Sequence, residues 1–237
     1  MNAKGKSPEN STRQANKILR RNRILNIAKH LIASEGLEAF TLSQLADKAG
    51  VSAPTIHNLF GKKSDIYQEL ITELVIALQG VMSKPMFGDP VESAKFYVHS
   101  IVSMYTDNED FYRAAYMAGN QEGIFDDRKS KDGFVQQSIK IAERCCVAAL
   151  KEGFLLGNIG TSTLTRQLYQ CHRLGRQDWV YAHIDLNEYY HQVLEGMLMV
   201  YATDATPECH KRLAKELMRL NSQQTLPLFK APICLWC

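Results

Sequence analysis

Apolar residues recur every three or four positions along almost the whole chain, and strand-like alternation of apolar and polar residues is rare. This period matches the α-helix, so the pattern predicts an all-α protein. The first clear stripe predicts a helix over about residues 17–35, and Gly36 stands where that helix can end. The composition agrees, because only 14 Gly and 7 Pro are present to interrupt helices.

Two short helices are predicted to follow. Thr41 and Gln44 have the spacing of a capping box that starts the second helix, and Gly50 ends it. A three-residue turn leads to Ser52, which can cap a third helix running to Leu59. Because so short a turn sets the third helix steeply across the second, the segment predicts a helix-turn-helix.

The rest of the chain is also predicted to be helical. A fourth helix starts near residues 62–64 and ends near 83, and the proline- and glycine-containing segment 84–90 marks a domain boundary. Six further helices are predicted at about 91–106, 108–121, 131–152, 162–182, 185–203 and 207–221. The predicted parts are a flexible basic arm (1–16), a three-helix helix-turn-helix domain with its connecting helix (17–84), a larger helical domain (85–221) and a C-terminal tail (222–237).

The charge is unevenly distributed. The net charge is +3, yet residues 1–63 carry eleven Lys and Arg against four Asp and Glu. This asymmetry predicts a polyanion partner for the N-terminal part, although a solvated basic tail is the alternative for residues 1–16. The arm cations are expected either to reach a nucleic-acid backbone or minor groove or to serve solubility alone; they are Lys4, Lys6, Arg13, Lys17, Arg20 and Arg21.

Several classes of protein are disfavoured. The sequence has no apolar stretch of the ~20 residues that cross a bilayer and no signal peptide, so we expect a cytoplasmic protein without a membrane partner. No phosphate loop, dinucleotide fingerprint or nucleophile elbow is present, so we expect no enzyme and no cofactor. The six cysteines are interpreted as reduced thiols, and Cys234-x-x-Cys237 is a weak metal or redox signal. A metal sensor using Cys171–His172 and Cys209–His210 is a less favoured alternative.

The third helix has a polar face suited to DNA, made of short side chains that form hydrogen bonds or carry methyl groups. Such side chains fit phosphates and base edges. The segment resembles the DNA-binding domain of the TetR family of transcriptional regulators. The residues that carry this resemblance are Thr41, Leu45, Ala46, Ala49, Gly50, Val51, Ser52, Thr55, Ile56, Phe60 and Lys63.

The resemblance implies a role for each matching residue. Thr41 would cap the second helix near a phosphate, and Lys63 would contact the DNA backbone. The expected DNA-binding set is Thr41, Ser52, Ala53, Thr55, His57, Asn58, Lys62 and Lys63. His57 replaces the tyrosine common in the family, which would make phosphate binding sensitive to pH because imidazole titrates near neutrality.

The resemblance also implies a homodimer and a small-molecule effector, both served by residues 85–221. For the dimer interface we expect the stripe Tyr190, Val193, Met197 and Val200, unless the helix is internal to one chain. For the effector pocket we expect His99, Tyr105, Phe111, Tyr112, Tyr116, Met117, Trp179 and His183. The expected function is a repressor that releases a palindromic double-stranded operator when the effector binds; a DNA-binding regulator without such an effector is the alternative.

Overall fold

The computed structural model describes residues 8–83, 88–125 and 133–223. Within these ranges the regular elements are α-helices, joined by short loops with one isolated β-bridge between Leu155 and Ala205. The helices are α1 (Pro8–Ala39), α2 (Leu42–Ala49), α3 (Ala53–Phe60), α4 (Lys63–Met82), α5 (Pro90–Asp107), α6 (Glu109–Gln121), α7 (Phe134–Lys151), α8 (Thr161–Val180), α9 (Leu186–Ala202) and α10 (Pro207–Gln223). The prediction of an all-α protein is confirmed.

The first helix starts earlier than predicted. It begins at Pro8 rather than near residue 17, so residues 8–16 of the predicted flexible arm are helical, whereas residues 1–7 lie outside the described part. A proline favours the first position of a helix, and no glycine or proline interrupts the residues after it. Gly36 breaks the helix as expected, with φ 84° and ψ 167°.

The helix-turn-helix has the predicted caps with two changes. The Thr41 hydroxyl accepts a hydrogen bond from the Gln44 backbone N–H at 3.1 Å, and Gly50 adopts the left-handed conformation. The Gln44 side chain, however, donates to the Glu35 carboxylate, so the capping box is only half formed. At the start of α3 the Ser52 hydroxyl lies 2.9 Å from the Thr55 hydroxyl instead of capping a backbone N–H.

The described chain forms two compact units. The first comprises Met1–Lys84, Ser100–Ser138 and Arg176–Leu186, and the second comprises Pro85–His99, Ile139–Gly175 and Asn187–Cys237. The first unit is therefore larger than the predicted helix-turn-helix domain of residues 17–84. The reason is α6, which is buried almost continuously from Phe111 to Gly119 and packs against α1 and α4.

In the second unit, α8 and α9 form an antiparallel pair with small residues at their contact. A Cβ on Gly175 would lie 2.5 Å from Val193 Cγ2, and one on Gly196 would lie 3.0 Å from Cys171 Sγ. After α9, the buried carboxylate of Asp204 accepts backbone hydrogen bonds from three consecutive residues of the loop after α7. Among the described helices, none combines the length and apolar character needed to span a membrane.

Two glycine substitutions are predicted to change the stability of the protein in opposite directions. Gly175→Ala should lower the free energy of unfolding by about 1–3 kcal/mol because the added methyl group overlaps Val193. Gly80→Ala is the matched control, since Gly80 is an exposed position of α4 with open space around it, and it should raise stability by about 0.5–1 kcal/mol. Urea unfolding followed by circular dichroism measures both values, and a neutral Gly175→Ala would contradict the packing.

Candidate nucleic-acid interface

The two sides of α3 differ sharply in burial. Ile56 and Phe60 are 0% and 7% exposed, so they anchor the helix in the core. On the opposite side the side chains of Ser52, His57 and Asn58 are exposed. Of the other predicted contact residues, Ala53 and Thr55 are half-buried at the start of the helix. The polar side of α3 is thus accessible to a large partner.

Arg21 of α1 holds α3 and α4 in place. Its guanidinium makes two 2.5 Å hydrogen bonds to the Glu69 carboxylate and donates at 3.3 Å to the Leu59 carbonyl. It also lies 4.7 Å from the centre of the Phe60 ring. The hydrogen bonds to Glu69 raise the pKa of Arg21 above its usual value. Arg21 is therefore a structural clamp, which the sequence had placed among the cations of the basic arm.

Arg23 makes a second connection of the same kind. Its guanidinium donates at 3.0 Å to the Ala49 carbonyl, at the end of α2. Helix ends leave carbonyls without helical partners, so this bond fixes α1 against the turn between α2 and α3. No feature of the sequence pattern predicted that Arg21 or Arg23 would bond these carbonyls, because only the packing of α1 across both helices brings the carbonyls within reach.

His57 has one ring nitrogen engaged within the chain. Nδ1 lies 3.1 Å from the Gly61 carbonyl oxygen, and because a carbonyl only accepts, Nδ1 carries the proton. Nε2 is then the nitrogen available to a partner: an acceptor in the neutral ring and a donor in the protonated ring. The pH-sensitive phosphate contact expected from the replacement of tyrosine stays a prediction.

The two lysines at the start of α4 differ. Lys62 is exposed, whereas Lys63 is half-buried and donates at 2.8 Å from Nζ to the Leu37 carbonyl. Lys63 Nζ also lies 5.7 Å from the centres of the Phe40 and Tyr67 rings. Lys63, which the resemblance assigns to the DNA backbone, here stabilises the segment after Gly36. Lys62 is the more accessible cation.

Most of the residues expected in the effector pocket form a packed aromatic cluster in the first unit. The rings of Tyr105 and Trp179 stack at 4.1 Å with an interplanar angle of 5°. The Tyr105 hydroxyl donates to the Tyr116 hydroxyl at 2.9 Å, and Trp179 Nε1 donates to Glu109 at 3.1 Å. Met117 is also buried. In the structure these side chains fill space rather than line an open cavity.

Phe111 and Tyr112 are buried on the same helix, α6, nearer to the DNA-binding segment. Lys29 Nζ of α1 lies 4.5 Å from the centre of the Phe111 ring. Burial raises the pKa of Tyr112 above its usual value. Both residues therefore belong to the contact between α6 and its neighbours.

The two histidines expected in the pocket lie elsewhere. His183 is exposed, with Nδ1 3.9 Å from Asp178. His99 belongs to the second unit, where it lines an open groove of about 420 Å³ together with Phe96 and Tyr190. The structure therefore does not bring His99 or His183 into the aromatic cluster.

The residues expected at a dimer interface face largely inward. Val193 and Met197 are 0% and 7% exposed within a single chain, and Tyr190 and Val200 are half-buried. Val193 and Met197 thus pack into the core of their own chain, whereas Tyr190 lines the groove with His99. Because α9 is apolar nearly all round, the pattern alone does not tell which side is covered. The exposed apolar residues of this helix pair are Leu174 on α8 and Met199 on α9, 52% and 54% exposed.

The metal-sensor alternative gains no support from the described part of the chain, where no group of three or more His, Cys, Asp or Glu could hold an ion. His172 Nδ1 is 2.9 Å from the Tyr189 hydroxyl, inside the core. Burial raises the pKa of the Cys171 and Cys209 thiols above their usual values, which disfavours the thiolate that metals bind. Cys234 and Cys237 lie outside the described residues.

Comparison with known proteins agrees with this geometry. Residues 24–70 match the family model of bacterial regulatory proteins of the TetR family. A search of curated proteins finds no match.

Several solved structures have a similar fold. A TetR-family transcriptional regulator from Marinobacter aquaeolei VT8 is 18% identical, with a TM-score of 0.64 over 84% of this chain and 98% of its own. A gamma-butyrolactone receptor (ArpA-like protein) is 14% identical, with a TM-score of 0.61 over 88% and 100%. The TetR-family protein CprB from Streptomyces coelicolor, in complex with its operator sequence, is 14% identical, with a TM-score of 0.58 over 88% and 99%.

The match covers α3 and the helices that hold it, and the likeness in fold extends over most of the chain. Residues 24–70 thus carry the N-terminal domain of bacterial regulatory proteins of the TetR family, and the chain has the fold of TetR-family transcriptional regulators.

Proposed function

We propose that the protein is a transcriptional repressor that binds a palindromic operator as a homodimer and is released by a small molecule. The observation that carries the DNA-binding part is the two-sided α3, with Ile56 and Phe60 in the core and Ser52, His57 and Asn58 exposed. In helix-turn-helix proteins the second helix enters the major groove and its exposed side chains reach base edges. CprB, which has a similar fold, was solved on its operator.

The side chains divide into two kinds of contact. Asn58 can hydrogen-bond a base edge through its amide, whereas Lys62 offers a charge that attracts any phosphate. The Thr41 hydroxyl is already used by the Gln44 N–H, so Thr41 contributes mainly by fixing the start of α2 near the DNA backbone.

A homodimer follows from the short reach of one recognition helix, which reads only a few base pairs. We place its interface on the exposed sides of α8 and α9. Leu174 lies about a quarter-turn from Cys171 and Gly175, which contact α9. Met199 lies about a quarter-turn from Val193 and Gly196, which contact α8. Because the helices are antiparallel, the two exposed sides face the same way and form one continuous surface.

The proposed effector acts through α6. The aromatic cluster of Tyr105, Tyr116 and Trp179 connects α5, α6 and α8 within the first unit, and α6 packs against α1 and α4. Two contacts make that packing specific: His30 Nδ1 lies 2.8 Å from the Asp110 carboxylate, and Lys29 lies over Phe111. A ligand that opened the cluster would shift α6 and, with it, the helices that position α3, which is a population shift between two states.

A regulator controlled by a protein partner is the second candidate. It is favoured by the closed packing of the aromatic cluster, where Tyr105, Tyr116 and Trp179 are each 0% exposed.

Two substitutions on the DNA-binding face should have different signatures. Asn58→Ala should change the base preferred at about one operator position at a cost of about 1–3 kcal/mol, whereas Lys62→Ala should weaken binding to all sequences and lower the salt slope by about 1. Selection from a random duplex library, followed by fluorescence anisotropy over a range of salt concentrations, measures both. Lys151→Gln, an exposed lysine at the end of α7, is the control and should change neither. If Asn58→Ala instead lowered the salt slope and Lys62→Ala instead changed the base preference, the assignment would be wrong.

The dimer surface is tested by charge insertion. Leu174→Arg and Met199→Arg should each convert a species of twice 26.8 kDa into a monomer, because burying an unpaired guanidinium is costly. Ile76→Arg on α4 is the matched control, since Ile76 is also apolar and 63% exposed. Sedimentation velocity at micromolar concentration measures the mass. A monomeric wild type, or dimers of both variants, would remove this interface.

The effector route is tested by fluorescence. The chain has two tryptophans, and Trp236→Phe leaves only Trp179, which is fully buried. Any small molecule that weakens binding to the selected duplex should also shift the Trp179 emission of this variant. Release without a change at Trp179 would contradict the location of the site, and release by a protein fraction alone would favour the second candidate.

A further inference from the structure

The N-terminal part of α1 stands apart from the core. From Gln14 onward the first buried residue of the helix is Ile24, and every residue from Gln14 to Arg20 is exposed. Lys17 and Arg20 lie in this segment, and no Asp or Glu occurs between Asn10 and Ser34. The exposed segment is therefore a helix with cations and no compensating acid in its own sequence.

The contacts of the next turn locate these cations. Arg21 reaches the Leu59 carbonyl at the end of α3, and Arg23 reaches the Ala49 carbonyl at the end of α2. Lys17 precedes Arg21 by four residues and Arg20 precedes Arg23 by three, so each lies one turn earlier on the same side of α1. Lys17 therefore lies on the side of α1 that contacts α3, and Arg20 lies on the side that contacts α2.

The contacts of Arg21 place this segment beside the helix that carries the expected DNA contacts. Arg21, one turn after Lys17, bonds the Leu59 carbonyl at the end of α3 and pairs with Glu69 of α4. Lys62, which is exposed, lies in the short connection between α3 and α4. The N-terminal segment of α1 therefore begins next to the end of α3 and to the connection that carries Lys62.

This arrangement is unfavourable for an isolated helix. Like charges four residues apart on a helix repel, as Lys17 and Arg21 do. Arg21 is offset by Glu69, but Lys17 and Arg20 have no acid among the neighbouring positions of α1. A polyanion held along this side would remove the repulsion, and DNA is the polyanion that the adjacent α3 is proposed to bind.

We propose that Lys17 and Arg20 bind phosphates outside the base pairs that α3 reads, so that the extended α1 lengthens the DNA footprint of each protomer. The contact is made by a rigid helix on the backbone rather than by a flexible arm in the minor groove, and it carries no base preference. The inference rests on the proposed DNA-binding function and assigns it a second, sequence-independent contact.

The test compares two duplexes. Selection with the full-length wild type supplies the core sequence, which is used either trimmed to the selected positions or extended by about ten base pairs, one helical turn, at each end. On the extended duplex, the variant Lys17→Gln/Arg20→Gln should lower the slope of log affinity against log salt concentration by about 1.8 per protomer. Its affinity should therefore fall about 12-fold less than that of the wild type between 50 and 200 mM salt. On the trimmed duplex the slope should be unchanged, and so should the base preference.

Two controls make the result specific. Ile18→Gln/Leu19→Gln alters the exposed apolar residues of the same turn, 53% and 67% exposed, and should leave the slope unchanged, as should Lys151→Gln. The charge-removed variant should melt at the wild-type temperature or slightly above it, because the repulsion within α1 is relieved.

The outcomes separate this inference from the proposed function. If the wild type binds and Lys17→Gln/Arg20→Gln has the same salt slope as the wild type on the extended duplex, the inference is overturned but the proposed function is not. The same holds if the Ile18 and Leu19 substitutions reduce the slope, since the segment would then dock through its apolar residues. Failure of the wild type to bind any duplex would overturn both.

Discussion

The DNA-binding part of this protein depends on α3, a two-turn helix, having one side buried in the core and the other side exposed. Burial of Ile56 and Phe60 supplies the apolar anchor, and Arg21 fixes the orientation by bonding Glu69 and the Leu59 carbonyl at once. A bidentate, charge-assisted pair of this kind restricts direction as well as distance. A helix as short as α3 has little stability of its own, so these contacts decide where its polar side faces.

The same constraint explains why positively charged residues of α1 and α4 have two different uses. One group hydrogen-bonds carbonyls and a carboxylate inside the chain: Arg21, Arg23 and Lys63. The other group is exposed: Lys17, Arg20 and Lys62. The first group holds the helices in register, and the second group supplies the field that attracts a polyanion. A count of basic residues in residues 1–63 therefore overstates the number of charges available to DNA.

The connection between the DNA-binding helices and the rest of the first unit runs through α6. Its buried face meets α1 and α4, and its Tyr112 and Tyr116 rings pack against Tyr105 of α5, which stacks on Trp179 of α8. Packed cores change between discrete arrangements rather than deforming continuously, so a dense aromatic cluster at this place is suited to a two-state response. The Glu109 carboxylate, which accepts from Trp179 and lies 2.7 Å from Arg113, ties the start of α6 to that cluster.

The sequence alone determined the helical class, most helix boundaries and the helix-turn-helix, because these follow from local rules: the spacing of apolar residues, the cap at Thr41 and the left-handed glycine at Gly50. It also selected the exposed side of α3. Tertiary structure decided which side of α9 is covered, that Lys63 is used within the chain, and that His99 and His183 lie away from the aromatic cluster. Those outcomes depend on which distant helix packs against each side chain, and the periodicity of one helix contains no information about its neighbours.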